Sequence, residues 1–185
     1  MSAPDLALAA LPADILEVAA FGGAAPELVR RAAEDCWALP PLGRVSAAPA
    51  GLALAVRPER WLIVLTPQAG GRSAARWQGL LGTRGAVVEL SAGLAAFFLA
   101  GAPAREVLKR GCRLDLDPGV FAQGSAAATQ MAQVAVTLAA LPGGLLLLTP
   151  ASTARHLREW LMQVGRAFGI AAVSDVTVAT LSGDP

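Results

Sequence analysis

The sequence offers few side chains that could do chemistry, and they lie far apart. His156 is the only histidine, and the only cysteines are Cys36 and Cys112. A nucleophilic triad needs its histidine beside a nucleophile and an acid, and a structural zinc site needs four Cys or His ligands. The pattern therefore predicts no catalytic residue and no metal site in this chain.

The neighbours of His156 and Cys112 favour structural roles. His156 stands among arginines on the polar side of a predicted helix, which is typical of a surface or boundary position. Cys112 follows a predicted helix end, where the negative end of the helix dipole opposes a thiolate. We interpret Cys112 as a small residue in a tight loop, with a reactive thiol as the alternative.

Asp115 and Asp117 alternate with leucines, so an extended backbone would project both carboxylates to the same side. Paired carboxylates can do acid–base work, but only in a closed pocket. A solvated loop edge or a docking contact fits this setting better. Arg113, Asp115 and Asp117 are therefore candidate contact residues for a partner, with a solvated loop edge as the alternative.

Phosphate-cradling and nucleic-acid-binding signals are also missing. No GxGxxG or GxxxxGK[ST] motif follows a predicted strand, so no cofactor-binding residue can be assigned. The net charge is +1 and the basic residues are scattered, which argues against nucleic acid or an anionic membrane as a partner. The tryptophans are too widely spaced for a base-stacking platform.

Charged residues make up 16% of the chain, against about 25% in average soluble domains. Either a coding bias towards Ala, Gly and Arg explains this, or the chain is a subunit that buries much of its surface against larger partners. Residues 118–154 carry no charge, but Pro142 and Gly143 interrupt the apolar run. This pattern predicts a buried hairpin rather than a membrane span.

The cysteine pattern fits a reducing cytoplasm. Residues 1–14 lack a basic signal-peptide region and are predicted to form a flexible arm.

Residues 15–91 predict a strand, a helix, a hairpin, a second helix and a last strand, which is the βαββαβ order of ferredoxin-like domains. The first helix starts at Pro26 and would turn Leu28, Ala32 and Cys36 inward. Ser73 is a candidate cap for the second helix.

Residues 92–180 predict a second α+β portion, followed by a tail over residues 181–185. A strand leads to a short helix, in which Glu106 can pair with Arg110. Three antiparallel strands then precede a long helix, capped by Ser152 or Thr153, and a strand over residues 173–179.

Several segments of this chain resemble one protein family. Residues 111–118, reading GCRLDLDP, with Phe121 beyond them, resemble the GCPLDLHP-type segment of the gamma subunit of heterotetrameric sarcosine oxidase. Further similar segments are a PDEWL-like hairpin at residues 57–62, a VDLS-like strand at 88–91, an SGPxAREVL-like helix at 99–108, and the final helix at 150–169 with Trp160. The resemblance covers residues 15–169 and depends on the order and spacing of these segments.

The resemblance implies the fold of the folate-dependent aminomethyltransferases, in which a ferredoxin-like portion packs with a second antiparallel-sheet-plus-helix portion. It implies a structural subunit beside alpha, beta and delta subunits, in a flavoenzyme that demethylates sarcosine to glycine and passes the one-carbon unit to tetrahydrofolate. FAD, FMN, NAD and tetrahydrofolate would then belong to the partner subunits, with no cofactor in this chain.

Two departures from the family pattern leave alternatives open. Residues 126–129 read AAAT where the family is rich in Cys-Ala-Gln-Thr, and Glu89 replaces the usual aspartate. The chain could instead serve a related amine or imino-acid oxidase complex. It could also be a stand-alone folate-binding protein of the same superfamily, although the KGC[FY]xGQE motif of that group is incomplete here.

Overall fold

The computed structural model describes residues 5–67 and 72–182. These residues form two compact units. Of the described residues, the ferredoxin-like unit contains 12–67, 72–92 and 177–182, and the six-stranded unit contains 5–11 and 93–176.

The helices and strands follow one another along both units. In chain order they are β1 (Leu6–Leu11), β2 (Asp14–Ala20), α1 (Ala25–Glu34), β3 (Arg44–Ala48), β4 (Gly51–Arg57), β5 (Arg60–Leu65), α2 (Arg72–Leu81), β6 (Gly85–Glu89), β7 (Leu94–Ala100), α3 (Ala104–Lys109), β8 (Ala126–Met131), β9 (Val134–Leu141), β10 (Gly144–Pro150), α4 (Ala151–Gly165), a 3₁₀ turn (Arg166–Phe168), β11 (Ile170–Val173) and α5 (Val178–Ser182).

The ferredoxin-like unit has the predicted βαββαβ order. Its sheet runs β3-β4-β5-β2-β6, with β3 as an additional edge strand, and each neighbouring pair is antiparallel. One face of the sheet and the helices α1 and α2 bury a core that includes Ile63 and Leu28. Trp37 and Trp77 meet edge to face in this core, with ring centroids 5.3 Å apart.

The six-stranded unit has the strand order β11-β1-β7-β10-β9-β8. The three consecutive strands β8, β9 and β10 pair as antiparallel neighbours, as the sequence predicts. Leu157 and Leu161 of α4 are fully buried in the core of this unit, so α4 packs on the sheet. No helix in the described part of the chain is long and apolar enough to cross a membrane.

Two predictions about the ends of the chain are wrong. The predicted flexible arm over residues 1–14 contains β1, which pairs with both β7 and β11 inside the sheet and buries Leu6 and Leu8. The predicted strand over residues 173–179 is instead the end of β11, a connection, and the start of α5. The predicted tail begins inside α5, and residues 1–4 and 183–185 lie outside the described residues.

Three local predictions are also wrong. Cys36 is exposed instead of facing the core, because the backbone turns left-handed there (φ 63°) and sends Trp37 inward. The helix α2 already begins at Arg72, so Ser73 lies within it. The helix α4 begins at Ala151, directly after Pro150, so Ser152 and Thr153 lie inside the helix and neither is its cap. The Thr153 hydroxyl instead donates to the Pro150 carbonyl at 3.1 Å.

Candidate subunit-contact site

The predicted contact residues lie on a loop between α3 and β8, residues 111–121, which we call the 111–121 loop. The loop begins where Gly111 passes close to α4. A Cβ atom at this position would come within 2.5 Å of the Trp160 ring, so only glycine fits without displacing the tryptophan. Cys112 then makes an isolated antiparallel bridge with Met131 at the end of β8. The first residues of the loop are therefore fixed against the sheet and helix.

The two residues with catalytic side-chain types occupy structural positions near this start. Cys112 is partly buried and packs against the core of the six-stranded unit. His156 is exposed, as predicted, and its Nε2 lies 3.2 Å from the Ala132 carbonyl oxygen. The same Ala132 donates its N–H to the Gly111 carbonyl at 3.1 Å. Both side chains thus border the β8–β9 turn.

Arg105 holds the far part of the loop from inside. Its Nη1 donates to the carbonyl oxygens of Leu116 at 2.8 Å and of Phe121 at 2.9 Å. The Leu116 and Phe121 side chains are buried, with 0% and 7% exposure. Sequence reasoning missed this role of Arg105, because backbone carbonyls, which leave no sequence signal, accept its hydrogen bonds.

The two aspartates shape the backbone of the loop. The Asp117 N–H donates to Asp115 Oδ1 at 2.9 Å, and the Gly119 N–H donates to Asp117 Oδ1 at 2.9 Å. These are the side-chain-to-backbone bonds that aspartate uses to build turns. The Asp117 carbonyl also accepts from the N–H groups of Val120 and Phe121 at 2.9 and 2.8 Å.

Arg113, Asp115 and Asp117 are all exposed on this one loop, so the structure brings the three predicted contact residues together. Lys109, at the end of α3, contributes a further charge. Its ammonium donates to Glu106 at 2.9 Å, and this hydrogen bond, together with the charges of Glu106, Asp117 and Asp115, raises the pKa of Lys109. The predicted partner of Glu106, Arg110, instead stacks over the Phe168 ring at 5.0 Å.

The tip of the loop is apolar and adjoins a cleft. Val120 is 66% exposed, the highest value among the exposed large hydrophobic residues of the described chain. The cleft has a volume of about 550 Å³, and Arg105 and Pro118 are among its lining residues. The other lining residues are uncharged: Gly101, Ala102, Ala104, Gln123, Leu141, Gly143, Gly144 and Leu145.

The ferredoxin-like unit contains a buried carboxylate that sequence reasoning also missed. Glu17, in the middle of β2, is 9% exposed and pairs with Arg57 and Arg60 at the two ends of the β4–β5 turn. The Glu17 Oε1 to Arg60 Nη1 distance is 2.8 Å. The strand pairing that joins these residues spans more than 40 positions, so spacing along the sequence could not show it.

A smaller cavity of about 180 Å³ lies beside the paired tryptophans, Trp37 and Trp77, in the same unit. Arg76 lines it and donates to Asp35 at 2.9 Å, and this hydrogen bond holds the pKa of Asp35 below its usual value. The guanidinium of Arg76 is therefore already paired. No group of acidic, histidine or cysteine side chains in residues 5–67 and 72–182 could hold a metal ion.

The sequence and the structure of this chain were compared with those of known proteins. The sequence matches no protein-family model and no curated protein. The structure is similar to a chain of the heterotetrameric sarcosine oxidase from Corynebacterium sp. U-96, solved in complex with pyrrole 2-carboxylate. The TM-score is 0.78 and the sequence identity 26%, and the match covers 94% of this chain and 91% of that chain.

A second similar structure is the glycine cleavage system aminomethyltransferase T from Bartonella henselae, with a TM-score of 0.67. The identity is 17%, so this likeness shows the fold alone, and 92% of this chain covers 48% of that chain. This chain thus spans about half of that enzyme. The predicted α+β fold of the aminomethyltransferase type is confirmed, and so is the resemblance of this chain, over nearly its whole length, to a chain of heterotetrameric sarcosine oxidase.

Proposed function

We propose that this chain is the gamma subunit of a heterotetrameric sarcosine oxidase, with a structural and assembly role in the complex. The observation that carries this proposal is the end-to-end match with a chain of such an enzyme, at 26% identity and with 91% of that chain covered. A chain that matched only a shared domain would cover a smaller part of its relative. The GCRLDLDP segment, which carries the family resemblance, is also the ordered 111–121 loop.

In this proposal the alpha, beta and delta subunits are the partners and carry the chemistry. They bind FAD, FMN, NAD and tetrahydrofolate, and together they demethylate sarcosine to glycine in the cytoplasm. This chain contributes surface, including the 111–121 loop with Arg113, Asp115 and Asp117. The only charged side chain of the 550 Å³ cleft, Arg105, already donates to two backbone carbonyls, which makes it a poor anchor for an anionic cofactor.

Co-expression tests the proposal directly. A tagged form of this chain is produced together with the alpha, beta and delta subunits of a heterotetrameric sarcosine oxidase, and the purified material is examined for subunit ratio and flavin absorbance. We expect a flavin-containing complex with one copy of each subunit. The chain produced alone should show no flavin absorbance, and flavin bound to it would contradict the division of roles.

A stand-alone folate-binding protein is the second candidate, because an aminomethyltransferase shares the fold. Isothermal titration of the lone chain with tetrahydrofolate separates the two. Stoichiometric binding, combined with failure to join the flavoprotein subunits, would favour the folate-binding protein. A complex that forms but oxidises another N-methyl amine or imino acid faster than sarcosine would identify a related oxidase.

A further inference from the structure

We propose that the outer edge of β8, residues 126–130, binds an extended segment of a larger partner subunit as a seventh strand of the sheet. This inference rests on the proposed assembly function and names the kind of contact, which is main-chain hydrogen bonding between strands. The edge is continuous with the 111–121 loop, because Cys112 at the start of that loop bridges to Met131 at the end of β8.

The hairpin between β8 and β9 determines which backbone groups of β8 point out of the sheet. Met131 and Val134 flank a two-residue turn, in which both residues have positive φ. The residues that flank such a turn form a hydrogen-bonded pair, and bonded pairs alternate with non-bonded pairs along an antiparallel ladder. The pairing continues one to one along all of β8, so the N–H groups of Ala126, Ala128 and Gln130 point outward.

The outward groups of β8 lie at the end of the sheet. β8 is the last strand in the order β11-β1-β7-β10-β9-β8. Among the described residues, its outer side has a backbone bridge only at Met131, where Cys112 lies. Ala128 and Gln130 are exposed. Unpaired N–H and C=O groups in a row along an edge are what an added strand satisfies, so they specify an extended partner.

The other three edges of the two sheets have features that restrict strand addition. Along β6, the Gln78 side chain donates to the Gly85 carbonyl at 3.4 Å and accepts from the Val87 N–H at 3.2 Å. β11 has only four residues, and β3 begins with the charged Arg44. β8 reads AAATQM, with no charge, no proline and no register shift. Because proteins use such features to protect edges that have no partner, the unprotected edge of β8 is the one that we expect to be paired.

The geometry of the edge sets the length of the partner segment and how it is recognised. Cys112 occupies the position beside Met131, which leaves residues 126–130, about 16 Å of strand. No side chain of β8 carries a charge. The partner segment is therefore recognised by its extended backbone over about five residues.

The first test uses the complete complex and two variants of the full chain at one position. Ala128→Pro removes an outward N–H and keeps the ladder with β9, which a proline on an edge strand allows. Ala128→Ser is the matched control, because it keeps the N–H at the same exposed position. The dissociation constant of each variant for the other three subunits is measured by dilution and mass photometry. We expect Ala128→Pro to weaken assembly by about tenfold or more and Ala128→Ser to leave it within about twofold.

The second test needs no substitution and decides alone if Ala128→Pro does not fold. Hydrogen exchange of the wild-type chain is followed by mass spectrometry of a peptide that covers residues 126–130. In the lone chain the outward amides should exchange fast, and in the complex we expect them to exchange about tenfold more slowly or less than that rate.

Unchanged exchange of β8 in the complex would overturn the inference, as would equal affinities of wild type and a folded Ala128→Pro. Protection of β8 that grows with the concentration of the lone chain would assign the edge to a second copy and also overturn it. If the wild-type chain fails to join the complex at all, the proposed function itself fails.

Discussion

The 111–121 loop joins α3 to β8 and the β4–β5 turn joins two strands, and different interactions hold the two segments. Arg105 fixes the loop by donating to the neutral carbonyls of Leu116 and Phe121. The turn is held at both ends by ion pairs from Arg57 and Arg60 to a single carboxylate, Glu17. One segment depends on backbone hydrogen bonds and the other on charge.

The two ways of holding the backbone leave different side chains exposed on the two segments. Arg105 bonds only to backbone carbonyls of the loop, and Val120 is exposed there together with Asp115 and Asp117. The turn exposes the arginines that hold it, with side chains 55% and 43% exposed, and Glu59 between them, so it presents charges of both signs.

The largest expected effect concerns the anchor of the loop. Leu116→Ala should lower the free energy of unfolding by about 2–5 kcal/mol, because a fully buried leucine leaves a cavity. Val120→Ala, four residues along, should change it by no more than about 0.5 kcal/mol. Urea denaturation followed by tryptophan fluorescence measures both. Similar losses for the two variants would show that the loop has no separate anchor and tip.

The internal arginine comes next. Arg105→Met keeps much of the side-chain length but removes both donors, so the partly buried carbonyls of Leu116 and Phe121 lose their partner. We expect a loss of about 1–3 kcal/mol in the free energy of unfolding. Arg113→Met on the same loop is the control and should stay within about 0.5 kcal/mol. Faster amide exchange at residues 116–121 should accompany the loss in Arg105→Met only.

The ion pairs of the turn should respond to salt. Glu17→Gln removes the charge that both arginines share, and we expect a loss of about 1–2 kcal/mol at low ionic strength. In 1 M salt the difference from wild type should shrink, since the arginine partners are exposed to screening. The exposed Glu59→Gln serves as the control. A loss independent of salt would assign Glu17 a packing role.

The smallest expected effect concerns the ion pairs of Glu27 in α1, which depend on charge as those of the β4–β5 turn do. Hydrogen bonds and charge from Arg30 and Arg31 lower the pKa of Glu27 from 4.5 to about 2. A lowered pKa means that the ionised side chain stabilises the fold above pH 4.5 and that this contribution disappears as the pH falls towards 2. The melting-temperature difference between wild type and Glu27→Gln should therefore fade over that range. A difference unchanged at pH 2 would exclude the ion pairs as its cause.

Sequence patterns predicted the parts of the fold that are set by neighbours along the chain. The hairpin over residues 52–65, the three strands β8, β9 and β10, and the amphipathic helix α4 all follow from period and turn residues. The strand β1 was missed because Pro12 and Asp14 follow its short apolar run, which then reads as a loose arm. What makes β1 a strand is its pairing with distant residues of β7 and β11.

For the candidate site, too, the sequence predicted some features and not others. Arg113, Asp115 and Asp117 could be placed on one loop because the surrounding glycines and prolines mark its limits. The role of Arg105 and the exposure of Val120 could not be predicted from the sequence, because both depend on the path of the loop backbone. The prediction that Cys36 faces the core was wrong for a related reason. Cys36 is a left-handed residue just after α1, and this backbone turn breaks the helical periodicity on which the prediction depended.

The placement of β1 and α5 also constrains how this chain can fold. Leu6 of β1 pairs with Ile170 of β11, so the six-stranded sheet is complete only when segments more than 160 positions apart have met. Long-range closure of this kind slows folding. During synthesis β1 stays unpaired until the intervening ferredoxin-like segment has been made. The ferredoxin-like unit is itself incomplete until α5 has been made. Neither unit is a continuous piece of the gene, so neither can be cut out or exchanged by a single excision.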